Sequence, residues 1–167
     1  MAASTQGQLE QQPANPTMLP GNTHIRRGNN SDEAWLFQLF KKTMQDYIDD
    51  AWGWEELLQK EGFTTSLPAR DFTILELDRQ AIACMHLSRK REHYFLDMIL
   101  VEPAYQRRGF GSKLITVARN QASKDDLPIQ LSVLKTNPAV KFHAQLGFAV
   151  IDEDDHSYKM RLAATAA

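Results

Sequence analysis

Two glycines and three basic side chains lie together in one short segment, between an apolar run and a helical pattern. The segment reads Gln106-Arg-Arg-Gly-Phe-Gly-Ser-Lys113 and follows the apolar run Tyr94–Val101. Glycines let a backbone approach a ligand closely, and the N–H groups at the start of a helix carry partial positive charge. The arginines and the lysine add full positive charges. The spacing therefore predicts an anion cradle of the kind that suits a pyrophosphate.

Two nucleotide-binding motifs compare poorly with this segment. A dinucleotide fingerprint, Gly-x-Gly-x-x-Gly, requires a third glycine where Leu114 stands. A nucleoside-triphosphate loop requires Gly-Lys-Ser/Thr, which the segment lacks. A nucleotide-binding module is therefore a disfavoured alternative. A glycine-rich turn that binds nothing is the plain structural alternative.

A second element follows the next apolar run and reads Asn137-Pro-Ala-Val-Lys-Phe142, with Leu146-Gly-Phe148 after it. Together the two elements resemble the GNAT superfamily of acyl-coenzyme A-dependent N-acetyltransferases. The stretch from Gln106 to Gly111 matches that family's Q/R-x-x-G-x-G/A signature. The second element matches its downstream asparagine–phenylalanine and glycine–phenylalanine pair. The resemblance covers nearly everything after residue 23.

The resemblance implies an α+β (mixed α/β) fold, in which helices flank a central, mostly antiparallel mixed sheet. The sheet would be splayed open between two adjacent strands, the one that ends at Val101 and the one that ends near Leu134. The implied function is acetyl-coenzyme A-dependent N-acetyl transfer to a primary amine, by direct attack in a ternary complex and without a metal. A non-catalytic acyl-coenzyme A-binding or regulatory domain on the same scaffold is the alternative.

Carried over residue by residue, the resemblance implies where the cofactor binds. Backbone groups of residues 99–101 would pair with the pantetheine arm like an added strand. Backbone N–H groups of residues 107–113 would hold the pyrophosphate, and Asn137 and Phe142 would line the pantetheine and thiol end. The full set of implied cofactor-binding residues is Ile99, Leu100, Val101, Gln106, Arg107, Arg108, Gly109, Phe110, Gly111, Ser112, Lys113, Asn137 and Phe142.

The sequence departs from the family's pattern at His143. The family often has a tyrosine directly after the phenylalanine of the second element, and that tyrosine is proposed to protonate the departing coenzyme A thiolate. A neutral imidazole N–H or an imidazolium is also able to donate to a thiolate, so His143 is a candidate catalytic acid. The alternative is that His143 only packs, since it lies one turn after Ala139.

The general base is less well defined than the acid. Some family members use a glutamate at the position that corresponds to Phe95, which has no titratable group. Asp97 lies two residues further along the same strand and is the candidate catalytic base, with Glu76 or a chain of water molecules as alternatives. No covalent enzyme intermediate is required, so we expect Cys84 to be a buried structural residue.

Charge is distributed unevenly between the two parts of the chain that would bind the two substrates. Residues 31–63 carry a net charge of −5, whereas residues 86–119 carry +4. This polarity fits an anionic cofactor on the basic part and a cationic amine on the acidic part. Trp54 and Glu55 are the candidate acceptor-binding residues, because Trp54 lies off the apolar helix face on which Trp52 is expected to be core.

The elements that must position these residues follow from apolar periodicity. A helix capped by Ser31 and a second helical stretch that fades near Gly62 lie between the first two predicted strands. A short helix follows Pro138, and a longer one carries Leu114. The predicted strands are His24–Arg27, Phe72–Leu77, Ala81–Leu87, Tyr94–Val101, Ile129–Leu134, Phe148–Ile151 and Tyr158–Leu162. Residues 23–162 form the predicted domain, preceded by a disordered tail at 1–22 and followed by a frayed end at 163–167.

Composition limits the classes of partner. The formal net charge of the 167 residues is −2, which gives no general attraction to nucleic acid or to an anionic membrane. No apolar run reaches the roughly 20 residues of a spanning helix. The single cysteine and the lack of a signal-like N-terminus favour the cytoplasm. A small-molecule or peptide amine is the expected partner, and a homodimer is left open.

Overall fold

The computed structural model describes residues 22–164 of the chain. The predicted tail, except for Asn22, and the predicted frayed end, except for residues 163 and 164, lie outside this range. Its strands are β1 Thr23–Arg27, β2 Phe72–Leu77, β3 Gln80–Arg89, β4 Tyr94–Val101, β5 Ile129–Leu134, β6 Ala149–Glu153 and β7 Ser157–Leu162. Its helices are α1 Glu33–Trp52, α2 Glu56–Ser66, α3 Phe110–Lys124 and α4 Ala139–Gln145.

The strands form one mixed sheet, and its topology confirms the expected fold class. The strand order is β1-β2-β3-β4-β5-β7-β6. Neighbouring strands run antiparallel except for β4 and β5, which are parallel. The molecule is therefore an α+β protein whose mostly antiparallel sheet contains one parallel pair near its centre.

The parallel pair is joined at one end and open at the other. Pairing between β4 and β5 ends at Leu96 and Leu131, although β4 continues to Val101 and β5 continues to Leu134. The register between β3 and β4 also shifts here, since His86 faces Met98 while Leu87 faces Leu96. Asp97 is therefore an extra residue in β4, that is, a β-bulge, and it lies where the two strands separate.

Helices cover both faces of the sheet. On one face α3 packs through Phe110, Leu114 and Ala118 into a core that also includes residues of β3, β4 and β5. On the other face α1 and α2 meet around Phe40 and Phe63, whose ring centroids are 4.6 Å apart. The opening between β4 and β5 thus lies between two helical layers.

The first helices begin and end differently from the sequence prediction. Ser31 is not the cap: its N–H donates to Asn29 Oδ1 at 2.9 Å, so the asparagine side chain closes the turn before α1. α1 is one continuous helix that joins the first predicted stretch to the beginning of the second, while the part of the second stretch near Gly62 lies in α2. α1 ends at Gly53, whose φ of +88° is readily adopted only by glycine.

Glu102 holds α1 against the end of β4. Its carboxylate accepts hydrogen bonds from Trp35 Nε1 at 2.9 Å and from Lys42 Nζ at 2.8 Å. Burial raises the pKa of Glu102, but the two hydrogen bonds outweigh burial and leave the pKa below its usual range. The first half of α1 is thereby fixed beside the strand that opens toward β5.

Candidate active site

A cavity of about 260 Å³ fills the space where β4 and β5 separate. Its walls come from α1, from the free ends of β4 and β5, and from α4. Asp97 and His143, the two candidate catalytic residues, both line it. The other lining residues are Phe40, Met44, Ile48, Trp52, Leu96, Met98, Ile99, Leu131, Ser132, Val133, Leu134, Asn137, Ala139 and Ser157.

The predicted anion cradle is the loop between β4 and α3. Gly109 takes a left-handed conformation with φ of +90° and directly precedes the helix. The N–H of Lys113 donates to the Gly109 carbonyl at 3.0 Å, so the N–H groups of Phe110, Gly111 and Ser112 precede the hydrogen-bond ladder of α3. These donors and the partial positive charge of the helix start provide favourable positions for an anion.

The charged side chains of this loop point to water. Arg107, Arg108 and Lys113 are all exposed. The Arg108 guanidinium lies over the rings of Tyr105 and Phe110, at 5.4 and 5.7 Å from their centroids. Phe110 itself is completely buried, so only its backbone is available to a ligand.

The two sequence motifs touch each other through Gly111 and Phe142. A Cβ atom added to Gly111 would lie 3.2 Å from the tip of the Phe142 ring. That distance is shorter than an ordinary van der Waals contact, so a side chain at Gly111 would push the Phe142 ring away by a few tenths of an ångström. The contact connects the anion cradle with the helix that carries His143.

The free end of β4 provides unpaired backbone on its β5 side. Its other edge pairs with β3, where Met85, Cys84 and Ala83 face Ile99, Leu100 and Val101. The Val101 carbonyl accepts a hydrogen bond from Gln106 Nε2 at 3.0 Å, which ties the cradle to the strand end. Ile99 lines the cavity, whereas the Leu100 side chain is buried in the α1 layer.

Asn137 spans the gap between α4 and α1. Its Oδ1 accepts the Ala139 N–H at 2.9 Å, which caps the start of α4. Its Nδ2 lies 3.7 Å from Met44 Sδ on α1. The residue therefore fixes one rim of the cavity with both ends of its amide.

His143 is 3% exposed and lies between the rings of Phe142 and Phe148, with centroid distances of 5.3 and 5.5 Å. Its Nδ1 is buried and has no hydrogen-bond partner within the described chain. Burial lowers the pKa of His143 to about 4. The imidazole is therefore neutral at pH 7, which favours a neutral N–H donor over an imidazolium acid.

Asp97 is held by two side chains of β3. Its Oδ2 lies 2.8 Å from His86 Nδ1 and also accepts the Ser88 hydroxyl. Glu76, the alternative base, forms an ion pair with Arg26 at 2.7 Å and does not line the cavity. Of the two carboxylates considered, only Asp97 faces the space where two substrates would meet.

The two tryptophans exchange the places expected for them. Trp54, predicted to wall the acceptor pocket, packs on Phe37 and Phe40 with centroid distances of 6.4 and 5.9 Å. Its neighbour Glu55 is exposed and does not line the cavity. Trp52, predicted to be core, is 61% exposed and lines the cavity instead. The end of α1 at Gly53 causes the exchange, because the chain turns there and brings Trp54 back onto Phe37 and Phe40.

Sequence reasoning missed several residues that line or support the cavity. Phe40, Met44, Ile48 and Trp52 are spaced by four along α1 and all reach it. The spacing by four is visible in the sequence, but it is equally typical of a helix face that packs into the protein core. His86, which contacts Asp97, gave no signal because an isolated histidine in a strand has no characteristic pattern.

Cys84 is completely buried, and burial raises the pKa of its thiol far above the usual range, as expected for a structural cysteine. Among residues 22–164, no three histidine, cysteine or carboxylate side chains come together as a possible metal site. No helix in the described part of the chain has the length and apolar character needed to cross a membrane.

Comparisons with known proteins show which family the sequence matches and which solved structures share its fold. Residues 34–148 match the sequence profile of the Acetyltransferase (GNAT) family. No curated protein sequence shows a significant match. The fold is similar to that of the PaiA N-acetyltransferase of Thermoplasma acidophilum in complex with coenzyme A, with a TM-score of 0.71 and 16% identity. That match covers 85% of this chain and 99% of the other.

Two further structures share the fold at similarly low identity. The ribosomal-protein-S18-alanine N-acetyltransferase of Escherichia coli has a TM-score of 0.67 and 19% identity, over 87% of this chain and 96% of that one. The N-acetylglutamate synthase of Neisseria gonorrhoeae, with coenzyme A and N-acetyl-glutamate, has a TM-score of 0.68 and 15% identity. That match covers 89% of this chain but 36% of the synthase.

Proposed function

The chain belongs to the acetyltransferase (GNAT) family, and from this premise we propose that it transfers an acetyl group from acetyl-coenzyme A to a primary amine. The transfer is direct, with both substrates bound together. One observation carries the proposal: the cavity between β4 and β5 has Asp97 and His143 on its walls and lies next to the contact between Gly111 and Phe142. An acyl donor and an acceptor are thus able to meet between two polar side chains.

The donor's coenzyme A would be held by the residues of the two motifs. The N–H groups at the start of α3 and the side chains of Arg107, Arg108 and Lys113 fit a pyrophosphate, because they offer donors and positive charge on an exposed loop. The free edge of β4 offers backbone groups for a pantetheine arm. Bound acetyl-coenzyme A supplies an acetyl thioester and a thiol leaving group.

Asp97 would bind and deprotonate the acceptor. An alkyl amine has a pKa of about 10 and arrives as an ammonium ion, which an ionised carboxylate attracts. The ammonium ion first loses one proton to solvent, because only the neutral amine has the lone pair that attacks the thioester carbon. The attacking nitrogen then becomes much more acidic, so a weak base such as Asp97 would be able to take its second proton. The backbone N–H groups on the free edge of β4 would stabilise the negative charge that develops on the carbonyl oxygen.

His143 would act on the leaving thiol. A neutral imidazole is able to donate a hydrogen bond to a thiolate. That hydrogen bond would stabilise the negative charge that develops on sulfur. It does not need to give up its proton, because a thiol with a pKa near 8.5 leaves with little assistance. This assigns to His143 the position of the family's usual tyrosine, with weaker acid character.

A binding domain without activity is the second candidate, and His143 favours it because a neutral imidazole is a weaker proton donor than the tyrosine that the family often has at that position. Thiol release from acetyl-coenzyme A in the presence of a panel of primary amines separates the two functions. Calorimetry with acetyl-coenzyme A provides the control. Binding without amine-dependent thiol release would establish the binding domain and overturn the transferase proposal.

A further inference from the structure

The wall that α1 contributes to the cavity is a single apolar ridge. Phe40, Met44, Ile48 and Trp52 follow each other at intervals of four residues, so they lie along one side of the helix. Trp52 is 61% exposed and its ring meets that of His156, on the β6–β7 connection, edge to face at 5.4 Å. The ridge thus runs from the buried ring of Phe40 to an aromatic pair in solvent.

Charge in the cavity is limited to one carboxylate. Asp97 is the one charged side chain among the described residues that line it, and no arginine or lysine of that part of the chain does so. An acceptor that carries a carboxylate or phosphate would bring a second negative charge beside Asp97 without a cation to pair it. Burial of two like charges without a cation is strongly unfavourable.

Polyamines and peptides fit this wall poorly as well. A polyamine would place its additional ammonium groups against the apolar ridge, and the described lining residues include no second carboxylate to pair with them. A peptide would place backbone N–H and C=O groups there, and the ridge offers them no hydrogen-bond partner. An acceptor whose remaining part is apolar brings neither unpaired charges nor unpaired backbone groups to the ridge, and the transfer of its apolar surface out of water favours binding.

We propose that the acceptor is a small monoamine with an apolar, preferably aromatic, body. Its ammonium group meets Asp97, and its body lies along the α1 ridge toward Trp52. This inference rests on the proposed acetyl transfer and adds the substrate class to it. Phenethylamine is a suitable probe, because it has one amine, one aromatic ring and no other polar group.

The first experiment compares acceptors with the wild-type protein. Thiol release is followed with acetyl-coenzyme A and phenethylamine, putrescine, spermidine, glutamate or a short peptide with a free N-terminus. We expect kcat/KM for phenethylamine to exceed that for each of the others by at least about tenfold, the effect of about 1.4 kcal/mol in binding. A preference for any other acceptor overturns the inference but leaves the transferase proposal standing.

The second experiment changes the wall. Trp52→Ala should raise the KM for phenethylamine by about tenfold and leave the KM for acetyl-coenzyme A unchanged, since the ring lies on the acceptor side. Trp52→Glu adds a carboxylate at the mouth and should shift preference toward putrescine. Leu57→Ala is the matched control, because Leu57 is 75% exposed on α2 and does not line the cavity.

These outcomes separate the two levels of the proposal. An unchanged phenethylamine KM in both Trp52 variants would overturn the assignment of the ridge as the acceptor wall. If no amine on the panel is acetylated although acetyl-coenzyme A binds, the transferase proposal fails, and the substrate class fails with it. Because Trp52 is largely exposed, neither variant is expected to disturb folding.

Discussion

His86 and Asp97 are joined by a hydrogen bond between β3 and β4, with His86 Nδ1 at 2.8 Å from Asp97 Oδ2. An ionised carboxylate only accepts hydrogen bonds, so Nδ1 is the donor. Burial raises the pKa of Asp97, but the hydrogen bonds from His86 and Ser88 outweigh burial and hold the pKa below its usual range. The bulge residue is therefore fixed and ionised where β4 leaves β5.

The hydrogen bond to Asp97 predicts that His86, which does not itself line the cavity, affects the pH dependence of kcat/KM. His86→Leu should raise the pKa of Asp97 and move the acid limb of the kcat/KM profile to higher pH. Asp97→Asn should lower kcat/KM by about 10²- to 10⁴-fold, the range for loss of an acid–base group. Thermal melts control for folding. An acid limb at the same pH in wild type and His86→Leu would show that His86 does not position Asp97.

The contact between Gly111 and Phe142 predicts opposite effects of the same substitution at two helical glycines. Gly111→Ala should destabilise the protein by about 1 kcal/mol and weaken acetyl-coenzyme A binding, because its Cβ meets the Phe142 ring at 3.2 Å. At Gly62, in α2, a Cβ meets nothing within 4 Å, so Gly62→Ala should stabilise by about 0.5–1 kcal/mol. Denaturant titration and calorimetry measure both effects.

A second substitution makes that prediction more specific. Phe142→Leu in the Gly111→Ala background should recover part of the lost stability, since the shorter side chain makes room for the new methyl group. Additive losses in the double variant would contradict the contact as the cause.

The ion pairs of Arg26 predict an acid-sensitive part of the stability. Arg26 binds Asp32 in bidentate fashion at 2.9 Å, and these hydrogen bonds lower the pKa of the buried Asp32. Arg26→Ala should therefore cost about 2–4 kcal/mol in the free energy of unfolding at pH 7. Arg27→Ala, at the exposed neighbouring position, should cost little.

The sign of the pH dependence follows from the lowered pKa. A carboxylate with a lower pKa in the folded state stabilises the protein above its unfolded pKa of about 3.9, and the effect disappears as the pH falls below it. The difference between wild type and Arg26→Ala should shrink from pH 7 to pH 3 in denaturant titrations. A constant difference over that range would exclude the Arg26–Asp32 pair as its source.

Burial of His143 predicts that the stability of the protein also depends on pH in a second, separate range. Its pKa of about 4 lies below the ordinary 6.5, so the unfolded state binds the proton first and stability falls as the pH drops from about 6.5 to about 4. The loss at pH 5 should be about 2 kcal/mol. A His143→Gln variant should lack this component, and equal slopes for both proteins between pH 7 and pH 5 would contradict it.

Much of the fold was predictable because apolar runs define strands. The bounds of the two strands beside the cavity, Tyr94–Val101 and Ile129–Leu134, agree with the sequence prediction. The bulge at Asp97 was not predictable, since one additional residue in one strand leaves the apolar pattern unchanged. The same limit applies to the partner that fixes Asp97, because His86 is brought to it by strand pairing alone.

The candidate site was predictable where a motif carries it. The motifs indicated the loop between β4 and α3 and the position of His143, but periodicity alone could not tell whether a helix face meets protein or a cavity. Trp52 shares its apolar face with Ile48 and was assigned to the core for that reason. The break at Gly53 sends Trp54 to the aromatic cluster and leaves Trp52 at the opening.

The role of His143 in the reaction gives the last prediction. His143→Ala should lower kcat by about 10- to 10³-fold, the range for loss of a hydrogen bond to developing charge. Acetyl-coenzyme A affinity should stay nearly unchanged, because the proposed pyrophosphate site at the start of α3 is not altered. His143→Tyr should keep much more activity, since it restores the family's usual donor. His24→Ala, an exposed histidine of β1, is the control. Because the pKa is about 4, kcat should show no loss near pH 6.5 from titration of an imidazolium. A stable His143→Ala protein with wild-type kcat would show that the residue only packs between Phe142 and Phe148.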